Sequence, residues 1–427
     1  MEDHKDNRIF FLNTTGISLV EFFWGLGLPL VLESTFLQLF LNKLGASNQI
    51  ISLVPTVLFI GQAFMGIIGA YQSRRLSNTR TLVIIYHLYP SVVVMTFGFY
   101  LLISGSFLPS TITVFFIVYI IFNTGIGMVV PVWMNYLIKL FDSHRVLPAL
   151  SIMMIAQSAG KLISSFLIAG YFVKNDITAR SSSILFIFCG LLFFIGSFAF
   201  LITREPCASE PVSVKKLSLP KYLAGSLKEI LKNKNILFFI MSDIETYAVI
   251  AVISFYANYA VDFHGVSAAV AAGVFVGLNY SGQIAANILF GTLNLFSIKT
   301  KCILSRLCSI SGILILLFGT GLSIFLVSSI LLGSSRAIRG LVYAPAVKIL
   351  SGRTDVTGLF AAAPILMLPL SAGIPLLCGR LLDSLPFYLA DSYRIVFAFL
   401  GLLSFISIFF IMRINFGSSL PSIGTKS

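Results

Sequence analysis

The stretch TREPCASEPVSVKKLSLPKYLAGSLKEILKNKN, residues 203–235, is a long polar interruption in an otherwise apolar chain. Of the 427 residues, 57% are hydrophobic and 11% are charged, whereas roughly a quarter of the residues in a soluble domain are charged. The apolar runs on both sides of the interruption reach about 20 residues, the length at which a helix spans a bilayer. The composition therefore predicts an all-α, multi-pass membrane protein.

Polar breaks divide the chain into about twelve apolar runs, each predicted to be a membrane helix. Transmembrane strands would show segments of about 10 residues with alternating polarity, and the runs here are continuous. The predicted segments are residues 10–41, 48–72, 81–103, 110–138, 146–173, 182–203, 236–261, 266–293, 300–320, 322–349, 356–382 and 392–412.

The excess of positive charge lies on one side of the predicted helices. The formal net charge is +13, and the loops on the side of the two termini hold most of the Lys and Arg, among them Arg145, Lys215 and Lys299. Because cytoplasmic loops are typically basic, we predict an inner (cell) membrane protein with both termini in the cytoplasm. The charge follows the membrane topology, so nucleic acid is not expected as a partner, whereas the lipid bilayer is.

The polar stretch divides the predicted helices into six and six. We therefore expect an N-terminal half at residues 1–203, a linker at 204–234 and a C-terminal half at 235–427. Within the linker, PKYLAGSLKEILKNK favours a helix with one apolar face. That face comprises Tyr222, Leu223, Leu227, Ile230 and Leu231. Two interpretations remain open: an interfacial helix on the cytoplasmic leaflet, or a solvated linker helix.

Short motifs recur in the same order in the two halves. LGAS at 44–47 precedes GQ at 61–62, and HGVS at 264–267 precedes GQ at 282–283. GMVVPVW at 127–133 precedes QSAG at 157–160, and GLVYAPA at 340–346 precedes LSAG at 370–373. This order favours a duplicated six-helix unit, and two parallel repeats place a substrate site between them near the middle of the membrane.

The twelve segments, the 6+6 division, the basic central loop and the parallel repeats together resemble the major facilitator superfamily over nearly the whole chain. In that family the loop after helix 2 carries a glycine, an aspartate and basic residues. Here GIIGAYQSRRLSNTR, residues 66–80, has the glycines and the bases but no aspartate. The resemblance implies the major facilitator fold, a cytoplasmic gate at Arg74, Arg75 and Arg80, and a central cavity lined by helices 1, 4, 7 and 10.

Eight ionisable residues inside the predicted membrane segments are candidates for a function, four acidic and four basic. They are Glu21, Glu33, Asp243, Glu245, Lys161, Arg336, Arg339 and Arg380. A charge at mid-membrane costs about 2.5 to 3.5 kcal/mol on insertion scales, so we expect these groups to face protein or water. Glu33 and Arg380 lie near outward helix ends, where a long side chain can reach the membrane surface.

Arg336 and Arg339 are three residues apart and share a helix face that Tyr343 extends by one turn. Two guanidinium groups offer paired donors to a carboxylate or a phosphate. We therefore predict that these residues bind an anionic group of a solute. The alternative is a structural ion pair with Asp243 or Glu245, and the two arrangements can alternate during transport.

Glu21, Asp243 and Glu245 are the predicted proton-coupling residues. Alignment of the two halves places Glu21 and Asp243 at corresponding depths of helices 1 and 7. A carboxyl group taken out of water can bind and release a proton across a physiological gradient. Asp243 and Glu245 are about 200° apart on an ideal helix and are not expected to face the cavity together. For Glu21, packing within an ion pair or a hydrogen bond is the alternative.

Lys161, Asn123 and Gln157 are predicted to complete the substrate pocket. Most buried Asn and Gln side chains in membrane bundles form hydrogen bonds between helices, and this structural role is the alternative for both amides.

The leading functional hypothesis is a secondary active transporter that moves a small anionic or zwitterionic solute by alternating access, coupled to protons. The alternative is efflux of amphipathic or cationic compounds, with the arginines structural; a channel or a receptor-like, non-transporting protein is a third possibility. The sequence lacks the metal-protease and P-loop motifs, so enzyme activity is not expected. We expect a monomer without a cofactor.

Overall fold

In the computed structural model, the described part of the chain folds into helices and the segments that connect them. It describes residues 2–32, 34–73, 78–142, 145–174, 177–205, 218–267, 270–353, 355–385 and 389–416, and no strand occurs within these ranges. Glu33, Arg74 and Arg75, which the sequence analysis singled out, lie outside the described residues.

The first half of the bundle contains seven α-helices, which carry the first six predicted membrane segments. They are α1 (Glu2–Val31), α2 (Ser34–Lys43), α3 (Asn48–Ser73), α4 (Arg80–Ser104), α5 (Thr111–Lys139), α6 (Val146–Lys174) and α7 (Ala179–Phe198), the last followed by a 3₁₀ turn at Ala199–Ile202.

The linker and the second half follow. They comprise α8 (Leu219–Lys232), α9 (Lys234–Met241), α10 (Ile244–His264), α11 (Val276–Asn287), α12 (Ile298–Phe318), α13 (Leu322–Ser351), α14 (Thr357–Ser384) and α15 (Ala390–Met412). A π-helical segment precedes α11 at Ala271–Phe275, and another follows it at Ile288–Thr292.

The described residues contain 11 helical spans that are long and apolar enough to cross a membrane. The remaining predicted segment, 266–293, is helical over residues 270–292 but changes from π to α geometry and back. Each π turn carries an extra residue and interrupts the regular α-helical register. Within the described residues, the prediction of an all-α protein with about twelve membrane helices is confirmed.

The two halves pack their helices in corresponding pairs. In the first half, α1 packs on α6 and α7, α3 packs on α5, and α4 packs on α5 and α7. In the second half, α10 packs on α14 and α15, α11 packs on α13, and α12 packs on α13 and α15. This correspondence is the arrangement that a duplicated six-helix unit predicts.

Two pairs of helices form most of the interface between the halves: α3 with α14, and α6 with α11. We use "terminal face" for the end of the bundle at which α1 begins and "far face" for the opposite end. At the terminal face, Ser151 Oγ donates a hydrogen bond to the Asn287 carbonyl oxygen at 2.7 Å. At the far face, Gln38 Nε2 donates to the Ser254 carbonyl oxygen at 2.8 Å.

Helix α8 lies against the terminal ends of α3 and α14. The ring of Tyr222 lies 6.0 Å from that of Tyr71 on α3, and Ile230 is fully buried. Leu223 and Leu227 also pack on the core, whereas Leu231 is 56% exposed. Protein therefore occupies most of the apolar face for which the sequence suggested the membrane surface.

Candidate functional site

The first group of buried charges lies where α1 meets α6. Glu21 and Lys161 are both buried. Gln157 Nε2 donates a short hydrogen bond to Glu21 Oε2, and the positive charge of Lys161 and the indole of Trp133 also act on this carboxylate. The structure thus brings together three predicted site residues, Glu21, Gln157 and Lys161.

Two glycines allow α1 and α6 to approach closely at this point. A Cβ atom on Gly25 would lie 2.4 Å from the Gln157 carbonyl oxygen, and one on Gly160 would lie 2.5 Å from the Phe22 carbonyl oxygen. Any larger residue would therefore separate the two backbones. Gly25 and Gly160 lie about one helical turn from Glu21 and Gln157. The close approach of the helices that they allow brings these two side chains within hydrogen-bonding distance.

This first group of charges also borders the second half of the bundle. Lys161 Nζ lies 5.7 Å from the centroid of the Tyr280 ring on α11, a cation–π distance. One turn earlier on α6, Ser158 Oγ lies 3.5 Å from Gln283 Oε1. A change in the charge of Glu21 can therefore act on the interface between the halves through Lys161.

The second group of charges surrounds a break in the membrane span Lys234–His264. Helix α9 ends at Met241 and α10 begins at Ile244, so Ser242 and Asp243 lie in a turn. Arg339 on α13 donates to both carboxylate oxygens of Asp243, from Nε at 3.2 Å and from Nη2 at 2.6 Å. The Arg339 guanidinium carbon also lies 4.2 Å from the centroid of the Tyr343 ring.

Glu245 is buried and binds to the same helix, α13. Its Oε1 accepts a hydrogen bond from Ser335 Oγ at 2.5 Å, and within the described part of the chain its Oε2 has no hydrogen-bond partner. An ideal helix would point Asp243 and Glu245 about 200° apart, yet both contact α13. The expectation that the two carboxylates do not face the central cavity together stays a prediction.

Arg336 lies one turn before Arg339 on α13 and is half-buried. Its charge acts on the Tyr256 hydroxyl of α10. Asp243, Glu245 and Arg339 therefore lie at the break, and Arg336 lies one turn from Arg339 along α13. The structural alternative for the arginines, pairing with Asp243 or Glu245, is realised by Arg339 in this conformation.

Arg306 on α12 is a further member of this group that the sequence analysis did not include. It is 1% exposed, and its Nη2 donates to the carbonyl oxygen and the hydroxyl of Ser242 at 3.3 and 3.0 Å. The sequence does contain a signal for it, since Arg306 lies six residues inside the predicted segment 300–320. The nearby Lys299 and Lys301 made it look like one of the basic residues of a helix end.

Asn123 lies apart from both groups. Its Nδ2 donates to the Tyr119 carbonyl oxygen of its own helix at 2.7 Å, and its backbone packs against Gly61 on α3. Arg380 is exposed toward the far end of α14, as its position in the sequence led us to expect.

Arg80 is the described member of the predicted cytoplasmic gate, and it forms hydrogen bonds at the terminal face of the first half. Its Nη1 donates to the Thr203 carbonyl oxygen at 2.9 Å, and its backbone N–H donates to Glu205 Oε2 at 3.0 Å. Tyr136 also binds Thr203, through hydroxyl oxygens 2.6 Å apart. All these contacts lie within the first half and the beginning of the linker, so none of them joins the two halves.

Arginine side chains are prominent in the second group. Arg339 binds Asp243, Arg306 binds the adjoining Ser242, and Arg336 lies one turn before Arg339 on α13. Guanidinium groups are the preferred partners of carboxylates and phosphates. Within the described residues, no group of three or more His, Cys, Asp or Glu side chains could hold a metal ion. The chemistry that this arrangement favours is therefore the binding of an anion.

A sequence profile of the Major Facilitator Superfamily matches residues 10–363. The chain belongs to this superfamily. Its members are membrane transporters, and the chain is thus an integral, multi-pass membrane protein of a transporter family. A search of curated proteins finds no match.

Solved structures with the same fold include three transporters. FucP in its outward conformation superposes with a TM-score of 0.69 at 14% identity, over 93% of this chain and 98% of FucP; FucP is a fucose:proton symporter of E. coli. The nucleoside transporter NupG gives 0.67 at 12% identity, over 94% and 99%. The human organic anion transporter MFSD10 gives 0.62 at 14% identity, over 95% and 99%. At these identities the likeness concerns the fold alone.

Proposed function

We propose that this protein is a secondary active transporter of a small anionic or zwitterionic solute. The observation that carries the proposal is the pair of hydrogen bonds from Arg339 to Asp243 at the break between α9 and α10, with Arg336 one turn away on the same helix. The donors of a guanidinium group can bind the carboxylate or phosphate of a solute in the same way. An acidic solute can therefore take the place of Asp243 as the partner of Arg339.

Arg336, Arg339 and Tyr343 form the binding surface in this proposal. Arg339 exchanges its bond to Asp243 for a bond to the solute, so the ion pair of the unloaded protein becomes the contact of the loaded one. Arginine suits this exchange because its donors bind a carboxylate side on. The bond to Asp243 keeps the guanidinium oriented while no solute is present.

Proton coupling is assigned to Glu21 in this account, with Asp243 and Glu245 contributing in the second half. Protonation of Glu21 removes its attraction for Lys161, which also lies beside the Tyr280 ring on the other half. A proton on one carboxylate can in this way alter how the two halves meet. The relatives that couple transport to protons, such as FucP, make the assignment plausible at the level of the fold.

Alternating access requires the contacts at the two faces to open in turn. In the proposed topology the terminal face is cytoplasmic, since the basic loops lie there. Opening the far face separates Gln38 from Ser254, and opening the terminal face separates Ser151 from Asn287. The protein is placed in the cell membrane with both termini inside.

A ligand panel tests the proposed solute class. Purified protein is heated with lactate, glutamate, glucuronate or phosphoenolpyruvate, and with glucose as the neutral counterpart of glucuronate. A ligand that binds only the folded state raises the unfolding temperature, so at least one acid is expected to do so while glucose does not. The shift should be lost in Arg339→Gln and kept in Arg353→Gln, which changes an exposed arginine. The proposal is overturned if no acid raises the unfolding temperature, or if glucose raises it as much as glucuronate does.

A further inference from the structure

Two tyrosines lie beside the Asp243–Arg339 ion pair. The ring of Tyr343 on α13 has its centroid 4.2 Å from the Arg339 guanidinium carbon. The charges of Asp243 and Arg339 also act on the hydroxyl of Tyr247 on α10, as does the hydroxyl of Tyr343. The ion pair and the two phenol groups therefore meet in one place, although they come from α13, α10 and the turn before it.

The rings of these tyrosines have aromatic neighbours on three other helices. The ring centroid of Tyr343 lies 5.6 Å from that of Phe239 on α9 and 6.0 Å from that of Phe360 on α14. The ring of Phe59 on α3 meets that of Tyr247 at 5.2 Å and an interplanar angle of 84°, an edge-to-face contact. Since α3 belongs to the first half and α10 to the second, this last contact joins the two halves.

The aromatic side chains lie at the depth where a transported solute is held. Phe59, Tyr247 and Arg339 are each close to the middle of their membrane spans, and two parallel repeats place a substrate site between them at that depth. The side chain of Arg339 is 28% exposed, and Tyr247 and Tyr343 are 9% exposed. These groups are therefore not sealed into the core.

We propose that the solute is a small aromatic carboxylate. This inference rests on the proposed function and names the class of acid for the same site. The carboxylate takes the place of Asp243 at Arg339. When the halves separate, Phe59 moves away with the first half, and the ring of the solute takes its place against Tyr247.

Aromatic walls give the site a preference that apolar area alone does not. Edge-to-face and offset-stacked ring pairs add to affinity beyond the area that they bury, by about two- to tenfold for one pair. An acid without a ring still binds Arg339 through its carboxylate but lacks this contribution. Aliphatic acids are therefore expected to bind more weakly than an aromatic acid of similar size.

Three matched ligands separate the ring, its size and the charge. Phenylacetate is compared with cyclohexylacetate, which has a saturated ring of similar size and the same charge, and with phenylacetamide, which keeps the aromatic ring but is neutral. The affinity of the full-length protein in detergent is obtained from the rise of its unfolding temperature with ligand concentration. We expect phenylacetate to bind about fivefold more tightly than cyclohexylacetate, and phenylacetamide to leave the unfolding temperature unchanged.

Substitution of Tyr247 assigns the preference to this ring. Tyr247→Leu should bind phenylacetate and cyclohexylacetate equally, whereas Tyr247→Phe keeps the ring and should keep the preference. Tyr393→Leu, which removes a ring stacked on Tyr259 at the far end of the second half, is the control and should also keep it. The comparison of ligands in the unaltered protein does not depend on any variant folding.

The possible results distinguish this inference from the proposed function. If the unaltered protein binds both acids with equal affinity, the aromatic solute is overturned, while an acidic solute stands. If Tyr247→Leu keeps the preference for phenylacetate, the role of this ring is overturned. If no acid raises the unfolding temperature, or if phenylacetamide raises it as much as phenylacetate does, the proposed function fails and this inference fails with it.

Discussion

The buried carboxylates of the two halves have different partners. Asp243 accepts two hydrogen bonds from one guanidinium, whereas Glu21 accepts a hydrogen bond from a neutral amide and interacts with an ammonium group. In the first arrangement the partner is a guanidinium, which stays charged. The second leaves the carboxyl group free to change its charge without losing its amide donor, and this difference is why Glu21 is the leading candidate for proton coupling.

The Asp243–Arg339 pair should be strongly coupled in a double-mutant cycle. The side chain of Asp243 is 4% exposed and that of Arg339 is 28% exposed, so removing one partner leaves the other poorly compensated. We expect Asp243→Asn to lower the free energy of unfolding by about 3 kcal/mol, and the double variant Asp243→Asn/Arg339→Gln to lose less than the sum of the single variants. Unfolding of the detergent-solubilised protein measures this. The exposed pair Asp391–Arg394 is the control. If the losses of the two single variants add up at Asp243–Arg339 as fully as they do at the control pair, the strong coupling predicted here is contradicted.

Glu21→Gln should uncouple transport without abolishing it. Glutamine keeps the size of the side chain and can still accept a hydrogen bond from Gln157, but it cannot release a proton. We expect exchange of labelled for unlabelled acid across proteoliposomes to persist within about threefold, while accumulation driven by a proton gradient falls at least tenfold. Glu229→Gln, on α8 and outside both groups of charges, should change neither. Equal losses of exchange and accumulation would assign Glu21 a structural role instead.

Single residues could be predicted only where a charge interrupts an apolar run. Glu21, Asp243 and Arg339 were recognised in this way, and their burial agrees with that analysis. Arg306 was missed because its neighbours Lys299 and Lys301 indicate a helix end. The sequence alone does not tell at what depth in the membrane this helix begins. The position of Asn123 could not be predicted either, since which face of a helix turns inward depends on the packing of its neighbours.

At the scale of the helices, the crossing of α1 and α6 determines whether Glu21 meets Gln157. Gly160→Ala places a methyl group 2.5 Å from the Phe22 carbonyl oxygen and must push the helices apart. We expect a loss of about 1–3 kcal/mol in unfolding free energy, the usual cost of overpacking, together with weaker gradient-driven uptake. Gly170→Ala on the same helix meets nothing within 4 Å and is the matched control, which should lose no stability. Equal effects of the two substitutions would show that the close approach is not what positions Glu21.

The break between α9 and α10 is the element that sequence reasoning could not provide. Residues 236–261 form one continuous apolar run with helical character, and nothing in it stops a helix. At the interruption the Ser242 carbonyl oxygen accepts a hydrogen bond from Arg306 on α12, which is a tertiary contact. For the same reason the sequence left two interpretations of α8: an apolar face predicts a buried partner, but lipid and protein satisfy it equally well.

For the whole molecule, the bonds between the halves at both faces predict how transport can be blocked. Gln38 and Ser254 meet across the halves at the far face. In a variant whose native cysteines are replaced by alanine, a short thiol-reactive cross-linker between Gln38→Cys and Ser254→Cys should abolish uptake, and a cleavable linker should restore it on reduction. Each single-cysteine variant is the control. Full uptake by the cross-linked protein would contradict alternating access.

The overall fold was largely predictable because the membrane restricts the choice. An apolar run of about 20 residues has to be a helix there, and the polar stretch at 203–235 gave the division into six and six. The pairing of α3 with α14 and of α6 with α11 could not be read from the sequence, since every membrane helix is apolar on the faces that touch lipid and on many that touch protein. The division into halves with boundaries at 203 and 235 stays a prediction.

Uptake driven by a proton gradient tests the central claim most directly. Proteoliposomes with an acidic exterior are given labelled acid, chosen as the panel member that stabilises the protein, and accumulation is followed with and without a protonophore. We predict that the internal concentration of labelled acid rises above the external one. This accumulation should disappear when the protonophore is added, and it should be absent in both Glu21→Gln and Arg339→Gln. Equal internal and external concentrations in the unaltered protein, with or without the gradient, would contradict it.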